Sequence, residues 1–313
     1  MVSHDGAEKQ YVLQAAKDAD VKFVRLWFPD ILGHLKGFAI NADDLEDAMN
    51  EGVGFDGSSI EGFARFEESD MRAFPDPNTF TLLPWRPQQN AVARMFCEIR
   101  RPRGEVFTGD PRNTLIRNLE RVAKLGYTYY VGTELEFFLL KNSEKPEFLD
   151  NNGYFDQLTS QPASDLRRDT VLNLGDMGVP VKYSHHEAAP SQHEIDLQYT
   201  DALAMADSVM TAKLVIKELA QIRGAYATFM PKPVSGINGS GMHVHQSLFK
   251  GDKNAFYDDD DEHYLSETGK KFIAGLLHHA PEITLVTNQW INSYKRLVPG
   301  FEAPVYVSWS HVN

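Results

Sequence analysis

The feature that most constrains this chain is an apolar segment, Gly132–Phe138, that carries two carboxylates, Glu134 and Glu136. Aromatic and aliphatic residues flank it at both parities, which is typical of a central strand buried on both faces. Residues two apart in a strand share a face, roughly 6.6 Å apart at about 3.3 Å per residue. Because an unpaired buried carboxylate is costly, the segment predicts two adjacent metal ions, each holding one glutamate. The alternative is a sheet face that opens to water.

Composition limits the classes of protein to which the chain can belong. It has 313 residues, 42% hydrophobic and 24% charged, which is typical of a soluble globular protein long enough for two domains. Its 31 Lys and Arg against 44 Asp and Glu give a net charge of −13, which argues against nucleic acid or an anionic membrane as the main partner. The single cysteine, Cys97, fits a reducing cytoplasm. The sequence shows no signal-peptide pattern and no bilayer-spanning apolar run, so we expect a cytoplasmic protein.

Residues 1–104 predict a small α+β domain that ends at the Pro/Gly turn of 100–104. The predicted elements are a helix at 10–17, strands at 21–28 and 34–40 joined as a hairpin, a helix at 43–49 capped by Asn41, and strands at 79–83 and 91–99. The Gly- and Ser-rich loop 54–63 has the composition of a backbone shaped to present Asp56 and hydroxyl groups to a ligand. An Asx turn, in which Asp56 bonds its own backbone, explains the same composition.

Residues 105–313 form the second predicted domain and add further candidate ligands. A helix capped by Asp110 leads into the Glu134/Glu136 strand. Glu187 and Glu194 stand on either side of a loop that contains Pro190, so they can converge on one point. Adjacent strand residues face opposite ways, so the histidines of this segment are expected to pack rather than to bind metal: His185, His186 and His193.

Two later segments extend this site. The glycine-rich loop 232–247 leads into a strand on which His243 and His245 share a face, and its glycines let backbone N–H groups approach an anion or carboxylate. The Pro- and Gly-punctuated loop 292–304 offers Arg296 and Glu302, either as a mobile flap or as ordinary surface. The remaining predicted elements are helices at 166–174, at 201–223 with Thr200 as cap, and at 265–277, and a strand at 310–313.

Taken together, these motifs resemble type I glutamine synthetase. The matching segments occur in the family's order and cover the chain: 55–59, 134–136, 185–194, 232–247 and 292–304. The resemblance implies a small N-terminal β-grasp domain, then a catalytic domain with a curved, mainly antiparallel sheet flanked by helices. It also implies incompleteness at the C-terminus, because the family continues past Asn313 with nucleotide-binding arginines and another glutamate ligand.

The resemblance assigns roles to individual residues. The implied metal ligands are Glu134, Glu136, Glu187, Glu194 and His243. Such a shell of carboxylates with one imidazole suits two or more Mg²⁺ or Mn²⁺ ions. The implied substrate-binding residues are Asn238, Gly239 and Ser59, and the implied nucleotide contacts are His245 and Ser247. The implied catalytic residues are Asp56, Arg296 and Glu302.

The activity that the resemblance implies is ATP-dependent ligation of ammonia to the γ-carboxylate of L-glutamate through γ-glutamyl phosphate. Asp56 would bind and deprotonate ammonium, Arg296 would neutralise phosphoryl charge, and Glu302 would shield the intermediate. The implied assembly is a dodecamer of two stacked hexamers with shared active sites, in which Asp56 acts on the neighbouring subunit. Arg65 falls where family members without adenylylation control sense feedback inhibition. The alternatives are a γ-glutamyl ligase for a larger amine of the polyamine type and a non-catalytic assembly or regulatory homologue.

Overall fold

The computed structural model describes residues 6–60, 62, 70–157 and 161–311. The chain divides into two compact units, Met1–Arg121 and Val122–Asn313, and each has its own sheet. Arg65, residue 61, residue 63 and the last two positions of the predicted strand 310–313 lie outside the described residues. The domain boundary after residue 104 stays a prediction.

The first unit is an α+β fold around one mixed sheet. Its elements are α1 (Gly6–Asp18), β1 (Val21–Pro29), β2 (Leu35–Asn41), α2 (Leu45–Glu51), β3 (Val53–Asp56), β4 (Asp70–Pro75), β5 (Thr81–Leu82), β6 (Ala91–Arg100) and α3 (Pro111–Lys124), which runs past the division between the units. The strand order is β2-β1-β6-β4-β3, with β5 beside β6. Strands β1 and β6 run parallel, whereas the predicted β1–β2 hairpin and the other pairs are antiparallel.

The apolar faces of these elements meet in one core. Val12 of α1, Leu26 of β1, Leu45 of α2 and Met95 of β6 are each at most 1% exposed and belong to a single buried cluster. Removing this apolar surface from water is the main force that holds the helices against the sheet. The sequence pattern predicted the elements that supply these residues, because each carries its apolar residues at helical or strand spacing.

Three local predictions for the first unit were wrong in whole or in part. The side chain of Asn41 makes no capping hydrogen bond, because a 3₁₀ turn, Ala42–Asp44, comes before α2. Residues 53–56 form β3 rather than a loop, and Asp56 is its last residue, opposite Asp70 of β4. The predicted strand at 79–83 is reduced to Thr81–Leu82. The glycine-rich composition around residues 53–56 does not predict a strand. The segment is a strand because it pairs with β4 and not because of its intrinsic propensity.

The second unit is built on an antiparallel sheet. Its elements are β7 (Thr128–Leu140), α4 (Gln161–Asp176), β8 (Val181–His186), β9 (Gln192–Asp201), α5 (Ala202–Ile222), β10 (Tyr226–Thr228), β11 (Met242–Lys250), β12 (Lys253–Asn254), α6 (Glu267–Thr287) and α7 (Ile291–Arg296). The strand order is β12-β11-β7-β9-β8, and β10 also pairs with β7. All of these pairs are antiparallel. The predicted central position of β7 is therefore confirmed.

The structure of the second unit also differs from the sequence predictions at three places. Asp201, not Thr200, caps α5, and its side chain accepts the N–H of Ala204 at 3.0 Å. The segment predicted as a loop from residue 292 begins inside α7 and becomes irregular after Arg296. Residues 297–311, the described end of the chain, contain no strand. Among the described helices, none is both long and apolar enough to cross a membrane.

Candidate active site

The central strand β7 places its two carboxylates between two partner strands. On one side, Glu194 of β9 lies directly opposite Glu136, and Asp196 lies opposite Glu134. On the other side, His243 of β11 lies opposite Glu134. Directly opposite residues, and residues two apart on one strand, point to the same face of a sheet. These acidic and imidazole side chains therefore form one patch on one face.

A cavity of about 870 Å³ lies against this patch. The predicted site residues on its wall are Glu134, Glu136, Glu187, Glu194, Asn238, Gly239, His243, Arg296 and Glu302. They come from β7, the β8–β9 hairpin, the glycine-rich loop, β11, α7 and the segment after α7. The tertiary fold thus brings together residues from four separate motifs of the sequence: 134–136, 185–194, 232–247 and 292–304.

The β8–β9 hairpin explains how Glu187 and Glu194 converge. Glu187 follows the last residue of β8, and its backbone N–H donates to the carbonyl of Gln192, the first residue of β9, at 2.8 Å. Glu194 lies inside β9, where His185 Nε2 is 3.6 Å from its Oε1. Both glutamates are at most 8% exposed. His186 and His193 of the same hairpin are buried at 1% and 0% exposure.

The electrostatics of the patch differ between its two ends. Burial and the neighbouring Asp196, Glu136 and Glu187 raise the pKa of Glu194 to about 9. Burial also raises the pKa of Glu136. At the other end burial opposes ionisation of Glu134, but hydrogen bonds from His245 and His243 outweigh it and lower the pKa of that carboxyl. The Glu136 end is therefore short of positive charge, whereas imidazoles already compensate the Glu134 end.

This donor set fits hard divalent cations. Asp196 Oδ1 is buried and has no hydrogen-bond partner in the part of the chain that the structure describes. Crowded carboxylates with raised pKa values gain most from a nearby cation, which favours their charged form. Oxygen-rich shells suit Mg²⁺ or Mn²⁺, and a single imidazole is compatible with either. Glu136, Glu187 and Glu194 could hold one ion and Glu134 with His243 another.

The glycine-rich loop approaches the patch closely. The backbone N–H of Gly241 donates to Glu136 Oε2 at 3.1 Å. A Cβ atom at Gly241 would meet the guanidinium of Arg296 and displace it, so the glycine leaves room for this guanidinium beside the loop. The loop is anchored at its start, where Lys232 N–H donates to Asn292 Oδ1 at 2.7 Å and Asn292 Nδ2 donates to the carbonyl of Lys232 at 3.0 Å.

A hydrogen bond joins the glycine-rich loop to the segment after α7. Asn238 Nδ2 donates to Glu302 Oε2 at 3.0 Å. Both residues line the cavity. Glu302 therefore lies at the same cavity as Glu136, although the two residues are far apart in sequence.

Four predicted site residues are not among the described residues that line the cavity. His245 Nε2 is 2.5 Å from Glu134 Oε1, and Ser247 is opposite Tyr130, but neither is among the described residues that line the cavity. Asp56 and Ser59 belong to the first unit. Asp56 Oδ1 accepts the N–H of Ser58 at 2.8 Å, so the Asx turn is present. Hydrogen bonds from the Ser58 side chain and backbone lower the pKa of Asp56, which keeps it anionic.

The sequence reasoning missed three residues of the site. Gln192 and Tyr154 line the cavity, and Asp196 lies beside Glu134 and Glu194. Two of them carried a signal, because Gln192 and Asp196 are each two residues from Glu194 and so share its face of β9. Tyr154 lies in a segment without regular structure and had no such signal.

The fold and the site define an α+β protein with an acidic cavity against the antiparallel sheet of its second unit. Residues 20–102 match the family described as "Glutamine synthetase, beta-Grasp domain", and residues 108–313 match "Glutamine synthetase, catalytic domain". The chain belongs to the glutamine synthetase family. This membership confirms the β-grasp domain and the curved antiparallel sheet flanked by helices that the resemblance implied.

Individual relatives agree with the family. The chain is 54% identical over 312 residues to the glutamine synthetase of Mycobacterium tuberculosis. The aligned region covers 98% of this chain and 70% of the relative. Among solved structures, Plasmodium falciparum glutamine synthetase aligns with a TM-score of 0.87 at 29% identity, covering 96% of this chain and 65% of that one. A GmaS/ADP complex aligns with a TM-score of 0.84 at 32% identity, covering 95% and 68%.

Proposed function

We propose that this chain catalyses ATP-dependent ligation of ammonia to the γ-carboxylate of L-glutamate, giving glutamine, ADP and phosphate. The observation that carries the proposal is the convergence of Glu136, Glu187, Glu194 and Arg296 on one cavity in a member of the glutamine synthetase family. Curated glutamine synthetases about half identical to this chain support the same reaction. The similarity to a GmaS/ADP complex supports an adenine nucleotide as co-substrate.

The site residues follow from the chemistry that this reaction needs. A carboxylate is a poor electrophile, so the glutamate side chain is first phosphorylated to γ-glutamyl phosphate. Divalent cations held by Glu134, Glu136, Glu187, Glu194 and His243 would neutralise phosphoryl charge when bound. Arg296 adds a fixed positive charge at the wall of the same cavity. Asn238 and Gly239 would offer polar groups of the loop to glutamate, and His245 and Ser247 of β11 would contact the nucleotide.

Ammonium binding and protection of the intermediate complete the proposal. Ammonium must lose a proton before it can attack, so it needs an anionic group such as Asp56, with Ser59 nearby in the same turn. Acyl phosphates hydrolyse readily, so water has to be excluded, and Glu302 is held at the cavity by Asn238. Asp56 would serve the neighbouring subunit of a cytoplasmic dodecamer made of two stacked hexamers.

Phosphate release tests the proposal directly. The protein is incubated with ATP, Mg²⁺ or Mn²⁺, and glutamate, and ammonium or one of a panel of larger amines is offered in turn. We expect phosphate release that depends on glutamate and is fastest with ammonium, with glutamine as product. Release only with a larger amine would contradict ammonium as acceptor. No release with any amine would contradict both enzymatic functions and favour an assembly or regulatory role.

A further inference from the structure

A buried polar cluster lies at the tip of the β8–β9 hairpin, and the proposed reaction does not use it. Its members are Asp150, His186, Ser191 and His193, at 9%, 1%, 0% and 0% exposure. We call them the Asp150 cluster. Burying polar groups this completely costs free energy unless they are hydrogen-bonded, so the hydrogen-bond partners of the cluster indicate what it does.

Asp150 ties two points of the hairpin together. Its Oδ1 is 2.8 Å from His186 Nε2 and accepts the backbone N–H of Ser191 at 3.1 Å. The other ring nitrogen of His186, Nδ1, is 2.7 Å from the carbonyl oxygen of Glu187. Since both of these partner atoms are acceptors, both ring nitrogens of His186 donate. The imidazole therefore links the Asp150 carboxylate to the backbone of a proposed metal-binding residue.

Ser191 holds the tip of the hairpin in an unfavourable backbone conformation. Its φ of +58° is in the left-handed region, which a non-glycine residue rarely adopts. The hydroxyl oxygen of Ser191 accepts the backbone N–H groups of Leu149 and Asp150 at 2.7 and 2.9 Å. Together with the bond from its own N–H to Asp150, these contacts stabilise a turn that would otherwise relax.

The same geometry argues against the Asp150 cluster as a metal site, although ligand atoms of Asp150, His186 and His193 lie within 4.8 Å of one another. Arg167 Nη1 is 2.7 Å from His193 Nδ1. A guanidinium can only donate, so Nδ1 accepts and the ring proton of neutral His193 is on Nε2. That nitrogen is therefore not a free ligand, and the guanidinium would repel a cation.

We propose that Asp150 and Ser191 are positioning residues: they fix the β8–β9 hairpin so that Glu187 and Glu194 face Glu136 before a cation binds. The inference rests on the proposed metal site. Glu187 follows His186 directly and Glu194 follows His193, so movement of either histidine backbone moves a carboxylate. Residues that orient ligands through hydrogen bonds typically change metal affinity about 10- to 100-fold when they are removed.

Titration of the protein with Mn²⁺ alone, followed by the electron paramagnetic resonance of free Mn²⁺, tests the inference without relying on activity. We expect Asp150→Ala to weaken Mn²⁺ binding about 10- to 100-fold, and Ser191→Ala to weaken it in the same direction. Asp150→Asn keeps an acceptor oxygen for His186 and Ser191 and should retain most of the affinity. Thr170→Val is the control, because it removes a buried hydroxyl that bonds within α4, to the carbonyl of Leu166.

The outcomes separate the inference from the proposed function. If the wild type binds Mn²⁺ and Glu136→Gln does not, the proposed metal site stands. If Ser191→Ala, with a wild-type circular dichroism spectrum, then binds Mn²⁺ within twofold of the wild type, the inference is overturned, and this variant decides even where Asp150→Ala fails to fold. Equal weakening in Thr170→Val would also overturn it, because the effect would then be general destabilisation. Absence of Mn²⁺ binding to the wild type would remove the metal site and the inference together.

Discussion

The side-chain nitrogen of Gln192 lies 3.0 Å from Oε2 of Glu136 and 3.0 Å from the carbonyl oxygen of Gly239. Its side-chain oxygen accepts the backbone N–H of Ala189 at 3.2 Å. One buried amide thus joins the central strand, the glycine-rich loop and the β8–β9 hairpin. These three elements carry most of the acidic side chains of the cavity, so Gln192 sets their relative positions.

Replacing Gln192 by leucine should therefore impair the reaction. Gln192→Leu removes the donor to Glu136 and the link to Gly239 while keeping the side-chain volume close to the original. We expect kcat/KM for glutamate to fall about 10- to 100-fold, as for other residues that orient metal ligands. Gln198→Leu is the matched control, because Gln198 is an exposed residue of the same strand. Equal kcat/KM values for the wild type and Gln192→Leu would refute this role.

Because carboxylates crowd around Glu194, replacing this residue by glutamine should stabilise the metal-free protein but weaken metal binding. Glu136, Glu187 and Asp196 surround this buried group, so without a cation its charge is unfavourable. Glu194→Gln should raise the unfolding temperature of the metal-free protein by roughly 2–4 °C, equivalent to about 1 kcal/mol. The same change should weaken Mn²⁺ binding. Calorimetry with and without Mn²⁺ measures both, and a lower unfolding temperature without Mn²⁺ would contradict the crowding argument.

Asp56 should be needed for the attack by ammonia but not for metal binding. Asp56→Ala removes the proposed proton acceptor, and loss of such a group typically costs about 10²- to 10⁴-fold in rate. We expect glutamine formation to fall within this range, while Mn²⁺ affinity is unchanged. Asp43→Ala, which removes another exposed carboxylate of the first unit, should leave both quantities unchanged. Wild-type glutamine formation by Asp56→Ala would refute the assigned role.

The raised pKa of Asp110 predicts that the free energy of unfolding depends on pH. Burial raises its pKa from 3.8 to about 6, even though the backbone N–H groups of Ile99 and Arg112 donate to its carboxylate. The folded chain therefore binds this proton more tightly than the unfolded chain does, so the stability that Asp110 contributes is fully present below about pH 4 and is lost as the pH rises through about 6. Two pH units correspond to about 3 kcal/mol.

Urea unfolding of the wild type and Asp110→Asn from pH 4 to pH 7 checks this prediction. Asparagine cannot ionise, so the difference in unfolding free energy between the two proteins should change by about 3 kcal/mol across this range, in favour of the variant at higher pH. Effects of the other titrating groups cancel in the difference. A difference that is the same at pH 4 and pH 7 would show that Asp110 titrates normally.

The sequence predicted the helices and strands wherever one periodic pattern ran through a whole element. Strand β7 and helices α3 and α5 were found in this way, because apolar spacing and end signals agreed. The errors fall where neighbouring segments decide the structure. Asp56 is in a strand because β4 pairs with it, and α7 forms beside the glycine-rich loop that Asn292 anchors. Neither partner can be identified from the local sequence.

The chain by itself determined that Glu134 and Glu136 share one face of a buried strand, since strand periodicity is a local property of the backbone. It also carried motifs in the order that identifies the family. Only the tertiary structure decided which residues meet that face. Strand pairing put Asp196 opposite Glu134 and Glu194 opposite Glu136, and the hairpin brought the buried Asp150 to Ser191. Such contacts join residues far apart in sequence, and their register depends on the packing of the whole sheet.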